Sequence, residues 1–251
     1  MNAQLTATFT TYLHAGQDCL PLRRYHRNKG AALGSLPVLR QAADSSDWNW
    51  QLVTICERVA ASLLLLLALP LLTLCAIVLG WRAGRFPLIA HRRVGWRGAD
   101  LWMLKLRTMW PAATLSGPAR FEIEYIDDES GPEQKTAGDA RVTCRFARFC
   151  RRHSIDELPQ LWHVLAGEMS LVGPRPITAG ESERYYGAHA AEVLQMKPGL
   201  AGLWQVSGRN RLTYAERCQL DLRLVRERSI ALYCLIVLRT LPEIFRGENS
   251  W

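Results

Sequence analysis

The chain has 251 residues, with 31 lysines and arginines against 23 aspartates and glutamates, a formal net charge of +8 and 49% hydrophobic residues. That apolar share excludes a disordered or collagen-like chain, and 22% charged residues exclude a polytopic carrier. The length allows one large domain or a domain with attachments.

Residues 1–47 are polar, carry Pro21, Gly30, Gly34 and Pro37, and hold a small basic group of Arg23, Arg24, Arg27 and Lys29. They read as a poorly ordered tail able to touch anionic headgroups. From Val59 to Trp81 the chain then runs 23 residues without a charge. A continuous helix of that length reaches roughly 34 Å, enough for a hydrocarbon core of about 30 Å. The run lies too far from the start to be a secretory signal. Pro70, at its middle, removes a backbone donor and crowds the preceding turn, so a bent helix could dip into one leaflet and return. Downstream, Arg82, Arg85, Arg92, Arg93 and Arg97 place that flank in the cytoplasm by the positive-inside rule. Residues 48–85 are therefore expected to be membrane-embedded and 86–251 to form a cytoplasmic catalytic domain.

Beyond the membrane run, Phe86–Ala90 and Leu101–Leu106 predict short strands around the turn Gly95–Gly98. Residues 111–138 read as an acidic surface loop. Arg141–Arg152 predicts a helix with Arg145, Arg148, Arg151 and Arg152 on one broad face. Leu158, Leu161, Trp162 and Leu165 predict an amphipathic helix stopped by Gly167. A turn at Gly173-Pro174-Arg175-Pro176 precedes helices over Glu181–Met196 and Tyr214–Arg228. The tail Ile230–Phe245 has few charges and fits the membrane interface. The expected fold is α/β, mainly helical with a small sheet, held on the membrane by one re-entrant helix and by interfacial helices. The seven cysteines form no C-x-x-C pair and read as free thiols, with no zinc site.

The chemistry concentrates in Ser154-Ile155-Asp156-Glu157-Leu158-Pro159-Gln160. Ser154 with Glu157 three residues on fits a capping box. Pro159, however, sits too deep for a helix that begins at Ile155 and suits one that begins near Pro159. That second start leaves Asp156 and Glu157 adjacent, ahead of the positive helix end, where anions such as phosphate are favoured. Two neighbouring carboxylates after four arginines suggest phosphoryl chemistry, with one attacking phosphorus while a divalent cation offsets the charge.

At these residues the chain resembles the bacterial sugar transferase family, the small monotopic phosphoglycosyl transferases. Four blocks carry the likeness. They run from His91 through Met109, from Arg151 through Gln160, from Gly167 through Pro176, and from Lys197 through Asn210. The resemblance implies attack by Asp156 on the sugar-linked phosphate of a UDP-sugar, release of UMP, and passage of the phosphosugar to undecaprenyl phosphate. It implies that Glu157, with Asp156, holds Mg²⁺, and that Lys105, Arg107, Arg175 and Arg209 lie near substrate phosphates. Asp221 matches an acidic position after the Gly-Arg-Asn block, although its spacing from Arg217 and Arg223 also fits a plain surface salt bridge. The implied partners are the UDP-sugar, undecaprenyl phosphate and lipid of the bacterial inner membrane, with room for a homo-oligomer and no nucleic acid. A non-catalytic scaffold of polysaccharide assembly is the competing reading. The chain departs from the family pattern at Leu69, Ala147, His153 and Leu224, while the Asp156-Glu157 pair is intact.

Overall fold

A computed structural model describes residues 48–110, 122–127, 142 and 144–246. The polar tail, and most of the acidic loop expected over 111–138, lie outside the described residues.

The apolar run lies within one helix, α1 (Trp48–Ala83), which has Pro70 inside it. Gly84 ends it at φ +60°, a left-handed conformation that glycine adopts without steric cost. Two strands follow, β1 (Leu88–Val94) and β2 (Asp100–Leu106), paired antiparallel with Ala90 opposite Leu104 and Arg92 opposite Trp102. Both strands were expected, but β1 is shifted toward Val94. The acidic stretch is not all loop: β3 (Glu124–Ile126) lies parallel along the free edge of β1. A second sheet pairs β4 (Ser170–Val172) with β5 (Gly199–Ala201) in parallel. The molecule is mainly helical, with two small sheets and one long apolar helix.

The arginine-rich helix α2 spans Arg145–Arg152, shorter than expected, because the Cys144 sulfur caps it by accepting from Ala147 N–H. Helix α3 (Leu161–Ala166) stops at Gly167, φ +82°, as its sequence suggests. The single helix expected over Glu181–Met196 is instead a chain of short turns broken at Gly187, φ +50°. Three further helices are α4 (Leu203–Ser207), α5 (Tyr214–Arg226) and α6 (Ile230–Arg246). A reciprocal cap starts α5: Thr213 Oγ1 accepts from Glu216 N–H, and the Glu216 carboxylate accepts from Thr213 N–H.

The core lies along α1. Ala61, fully buried, packs with Leu101, Met103, Leu161, Val164 and Met169. Farther along, Cys75 and Leu79 pack with Leu106, Ala147, Cys150 and Ile155. Leu158 touches both clusters, so residues on either side of Pro70 dock on the same body. The opposite side of α1 is bare: Leu63, Leu66, Leu67, Leu74, Ile77 and Trp81 are all exposed. Such a continuous apolar surface marks an interaction site, here one suited to lipid.

Of the five arginines counted after the run, Arg85 and Arg93 are buried and Arg92 is bound between Asp100 and Asp127 at 3.0 and 2.9 Å. Arg82 and Arg97 are exposed, and the paired Arg92 keeps 42% of its side chain exposed.

Candidate active site

Asp156 and Glu157 lie on a tight 3₁₀ turn, Ile155–Gln160, between α2 and α3. Ser154 enters it in the left-handed region at φ +54° and makes no side-chain cap, so the capping-box reading does not hold. At three residues per turn, Ile155, Leu158 and Leu161 align in one row, and that row faces the core beside α1. The row fixes the turn and leaves the two carboxylates between the basic helix and the first sheet. Asp156 is buried, at 8% exposure.

Lys105 on β2 donates to Glu157 Oε1 at 2.9 Å, closing a contact across 52 positions of sequence. On the other side, Arg209 Nη2 reaches Ser154 Oγ at 3.4 Å, and Arg209 itself adopts φ +50°. Arg151 Nη1 lies 3.5 Å from Thr108 Oγ1, tying α2 to the chain just beyond β2. The structure thus brings Lys105 and Arg209 to the Asp156 turn.

Arg107 is placed differently. It is buried, donates to Glu124 on β3, and holds its guanidinium 5.1 Å from the Trp110 ring. Its charge is engaged in joining β3 to the end of β2.

Arg175 and Asp221 belong to a second group. The Gly173-Pro174 backbone crosses β5 so closely that a side chain on Gly173 would collide with the Lys197 carbonyl, and one on Gly199 with the Gly173 amide. This close approach fixes the turn from which Arg175 projects. Asp221 is fully buried and makes no surface salt bridge with Arg217 or Arg223. Its Oδ2 accepts from Tyr186 O–H at 2.7 Å and from Arg175 N–H at 3.3 Å. Burial pushes the Asp221 carboxyl up to about 7, with the Tyr186 and Arg175 bonds opposing the rise. Burial and the neighbouring Asp221 likewise push the Tyr186 phenol up. Asp221 therefore lies under the Arg175 turn and is bonded to its backbone.

Trp204 is buried, and both Arg175 and Arg217 face its ring, at 5.7 and 5.1 Å. Burial and the proximity of Arg175 lower the Arg217 value. Sequence reasoning missed Tyr186 and the Arg217 contact, because both depend on helices that meet only in the folded chain.

The Cys150 thiol, near Asp156, is pushed up to about 12 by burial and the Cys75 thiol, which keeps it protonated and out of nucleophilic chemistry. The carboxylates remain the candidate nucleophiles. Among the described residues no three His, Cys, Asp or Glu side chains gather as a metal cage. The Asp156-Glu157 pair still suits a cation such as Mg²⁺, which takes one or two carboxylates and completes its shell from water and substrate phosphates.

Residues 48–247 match the bacterial sugar transferase family. The exopolysaccharide production protein ExoY of Rhizobium meliloti (strain 1021) is 38% identical over 194 residues, covering 77% of this chain and 85% of ExoY. The UDP-glucose:undecaprenyl-phosphate glucose-1-phosphate transferase of Caulobacter vibrioides is 38% identical over 203 residues, 77% of this chain and 69% of that protein. The undecaprenyl-phosphate galactose phosphotransferase of Salmonella typhimurium is 37% identical over 174 residues, which span 68% of this chain but only 36% of the larger relative.

Proposed function

The chain belongs to the bacterial sugar transferase family, and from that premise we propose that it moves a sugar-1-phosphate from a UDP-sugar to undecaprenyl phosphate, opening exopolysaccharide assembly. The observation that carries this reading is the Asp156-Glu157 turn, flanked by Lys105 and Arg209 and set against an apolar helix. A water-soluble donor and a lipid-bound acceptor can meet only at such a boundary.

In the first step an Asp156 carboxylate oxygen attacks the sugar-linked phosphorus. A new P–O bond forms, the bond to the nucleotide phosphate breaks, and UMP leaves with that electron pair. In the second step a phosphate oxygen of undecaprenyl phosphate attacks the same phosphorus and releases the Asp156 carboxylate. The product is undecaprenyl diphosphate sugar. Lys105 holds Glu157 in place, and Arg209 and Arg175 offer fixed positive charge to the diphosphate. Mg²⁺, held by Asp156 and Glu157, supplies charge neutralisation to the substrate phosphates.

We read α1 as re-entrant, with the catalytic body on the cytoplasmic face. Ala61 and Leu79 are 18 residues apart, about 27 Å of helix, yet both are buried against one body. In a helix standing straight across the bilayer those positions would lie near opposite faces. The exposed side chains of Phe149, Trp162, Leu238 and Leu241 suit helices lying in the interface.

The test is nucleotide release from detergent-solubilised protein with Mg²⁺, undecaprenyl phosphate and a panel of UDP-sugars. UMP release with one sugar, lost in Asp156→Asn together with the trapped phosphosugar adduct, is the expected result. Glu157→Gln weakens both and changes the Mg²⁺ dependence. Release of UDP would reassign the chain to direct glycosyl transfer, and normal turnover by Asp156→Asn would remove the nucleophile assignment.

A further inference from the structure

A second charged group lies at the amino end of α1. Glu57 is buried, and its Oε1 accepts from Ser170 Oγ, from Leu171 N–H at 2.9 Å and from Tyr233 O–H at 2.7 Å. Neutral donors therefore serve this carboxylate. Three cations stand around it. Arg58, exposed, lays its guanidinium against Gly167, where any side chain would collide with it. Lys197 lies 5.3 Å from the Trp96 ring, and Arg228 lies 3.7 Å from the Trp50 ring. Lys197 precedes Pro198, whose carbonyl accepts from Ser170 N–H at 2.9 Å, and Arg228 lies over Trp50, whose ring meets that of Tyr233, so both cations neighbour donors of Glu57. Burial, Arg58 and Arg228 hold the Lys197 ammonium below its ordinary value, against the pull of Glu57. Among the described residues neither Arg58 nor Lys197 has a carboxylate at ion-pair distance.

The surroundings are those of a membrane boundary. Leu52, Ile55 and Val59 are exposed on the same turns of α1, and Ile230 is exposed at the start of α6. The Trp50 and Tyr233 rings meet edge-on at 6.5 Å, and such aromatics mark headgroup level. Three cations beside one carboxylate whose Oε1 already accepts from three neutral donors, at that level, suit a phosphate anion.

We propose that Arg58, Lys197 and Arg228 form a headgroup site for an anionic phospholipid phosphate at the edge of membrane-embedded α1. In this reading the site is distinct from the acceptor's. Ile155, next to the nucleophile, packs at the level of Cys75, which is 17 residues from Arg58, or about 25 Å along the helix. Leu158 of the same turn also touches the Ala61 cluster, so it is the KM for undecaprenyl phosphate that separates the two sites. The inference rests on the membrane placement of α1 but not on turnover, so its failure and that of the proposed reaction are distinguishable.

The test uses full-length protein in phosphatidylcholine nanodiscs, with and without phosphatidylglycerol, and counts retained lipid by native mass spectrometry. Wild type should retain phosphatidylglycerol in preference. Arg58→Gln and Lys197→Gln should each cut that preference about fivefold. Arg58→Lys, which keeps the charge, should retain most of it. Arg82→Gln, an exposed arginine at the far end of α1, should leave it unchanged. Thermal midpoints in pure phosphatidylcholine separate lost binding from lost folding, and in a misfolded variant the Arg58→Lys and Arg82→Gln pair still decides. An undiminished preference in the Arg58→Gln/Lys197→Gln double variant, or equal losses at Arg58 and Arg82, would overturn the proposal. A rise in the KM for undecaprenyl phosphate in step with the lost preference would also overturn it, by giving the site to the acceptor.

Discussion

Replacing Asp221 by asparagine isolates the energetic consequence of a carboxyl placed beneath the Arg175 turn. In the folded protein burial holds this carboxyl up at about 7, whereas its ordinary value is 3.8. In the unfolded chain Asp221 ionises near pH 4, while in the folded chain it keeps its proton until near 7. Between those values the unfolded state binds fewer protons, so wild-type stability falls as pH rises from about 4 to about 7 and levels off above. At 1.36 kcal/mol per pH unit the full window is worth at most about 4 kcal/mol. An asparagine side chain does not titrate, yet its oxygen can still accept from Tyr186 O–H and Arg175 N–H. The Asp221→Asn protein should therefore gain stability relative to wild type across that window. At about 2–4 °C per kcal/mol for a domain of this size, the difference in midpoint should change by roughly 8–16 °C from the acid to the neutral end. Thermal melts of both proteins in one detergent, from pH 4 to pH 8, make the measurement. Parallel curves, offset by the same amount at every pH, would refute a protonated Asp221 in the folded state.

Ala61→Leu should overpack the first cluster at a cost of about 1–3 kcal/mol, and Leu79→Ala should open a cavity in the second at about 2–5 kcal/mol. Both are read as falls in thermal midpoint; a fall at only one would show that just one half of α1 docks on the body. Lys105→Met removes the cation from Glu157. It should lower UMP release tenfold or more, as expected for losing a charge-assisted bond worth about 1.5–3 kcal/mol, and unchanged release would detach Lys105 from the site.

Features written in neighbouring residues were legible. The uncharged run gave a helix because its length and composition leave no other element, and Gly167 stops α3 because a left-handed cap favours glycine. Pro159 ruled out a regular helix starting at Ile155, and the observed turn is 3₁₀. The Glu181–Met196 expectation failed because it ran through Gly187, where the backbone turns left-handed. The acid-rich stretch hid β3, whose pairing depends on the free edge of β1 and not on its own composition.

The sequence by itself determined the long apolar helix, the basic approach to the Asp156-Glu157 pair and the glycine stops, since each follows from spacing within a few residues. Tertiary structure alone decided which partner each charge meets. Lys105 meets Glu157 across 52 positions, Arg107 is diverted to Glu124, and Asp221 is buried beneath Arg175 with Tyr186. A charged side chain takes its role from the partner that folding brings within about 3 Å and from the water that packing removes, and neither is encoded in its immediate neighbours.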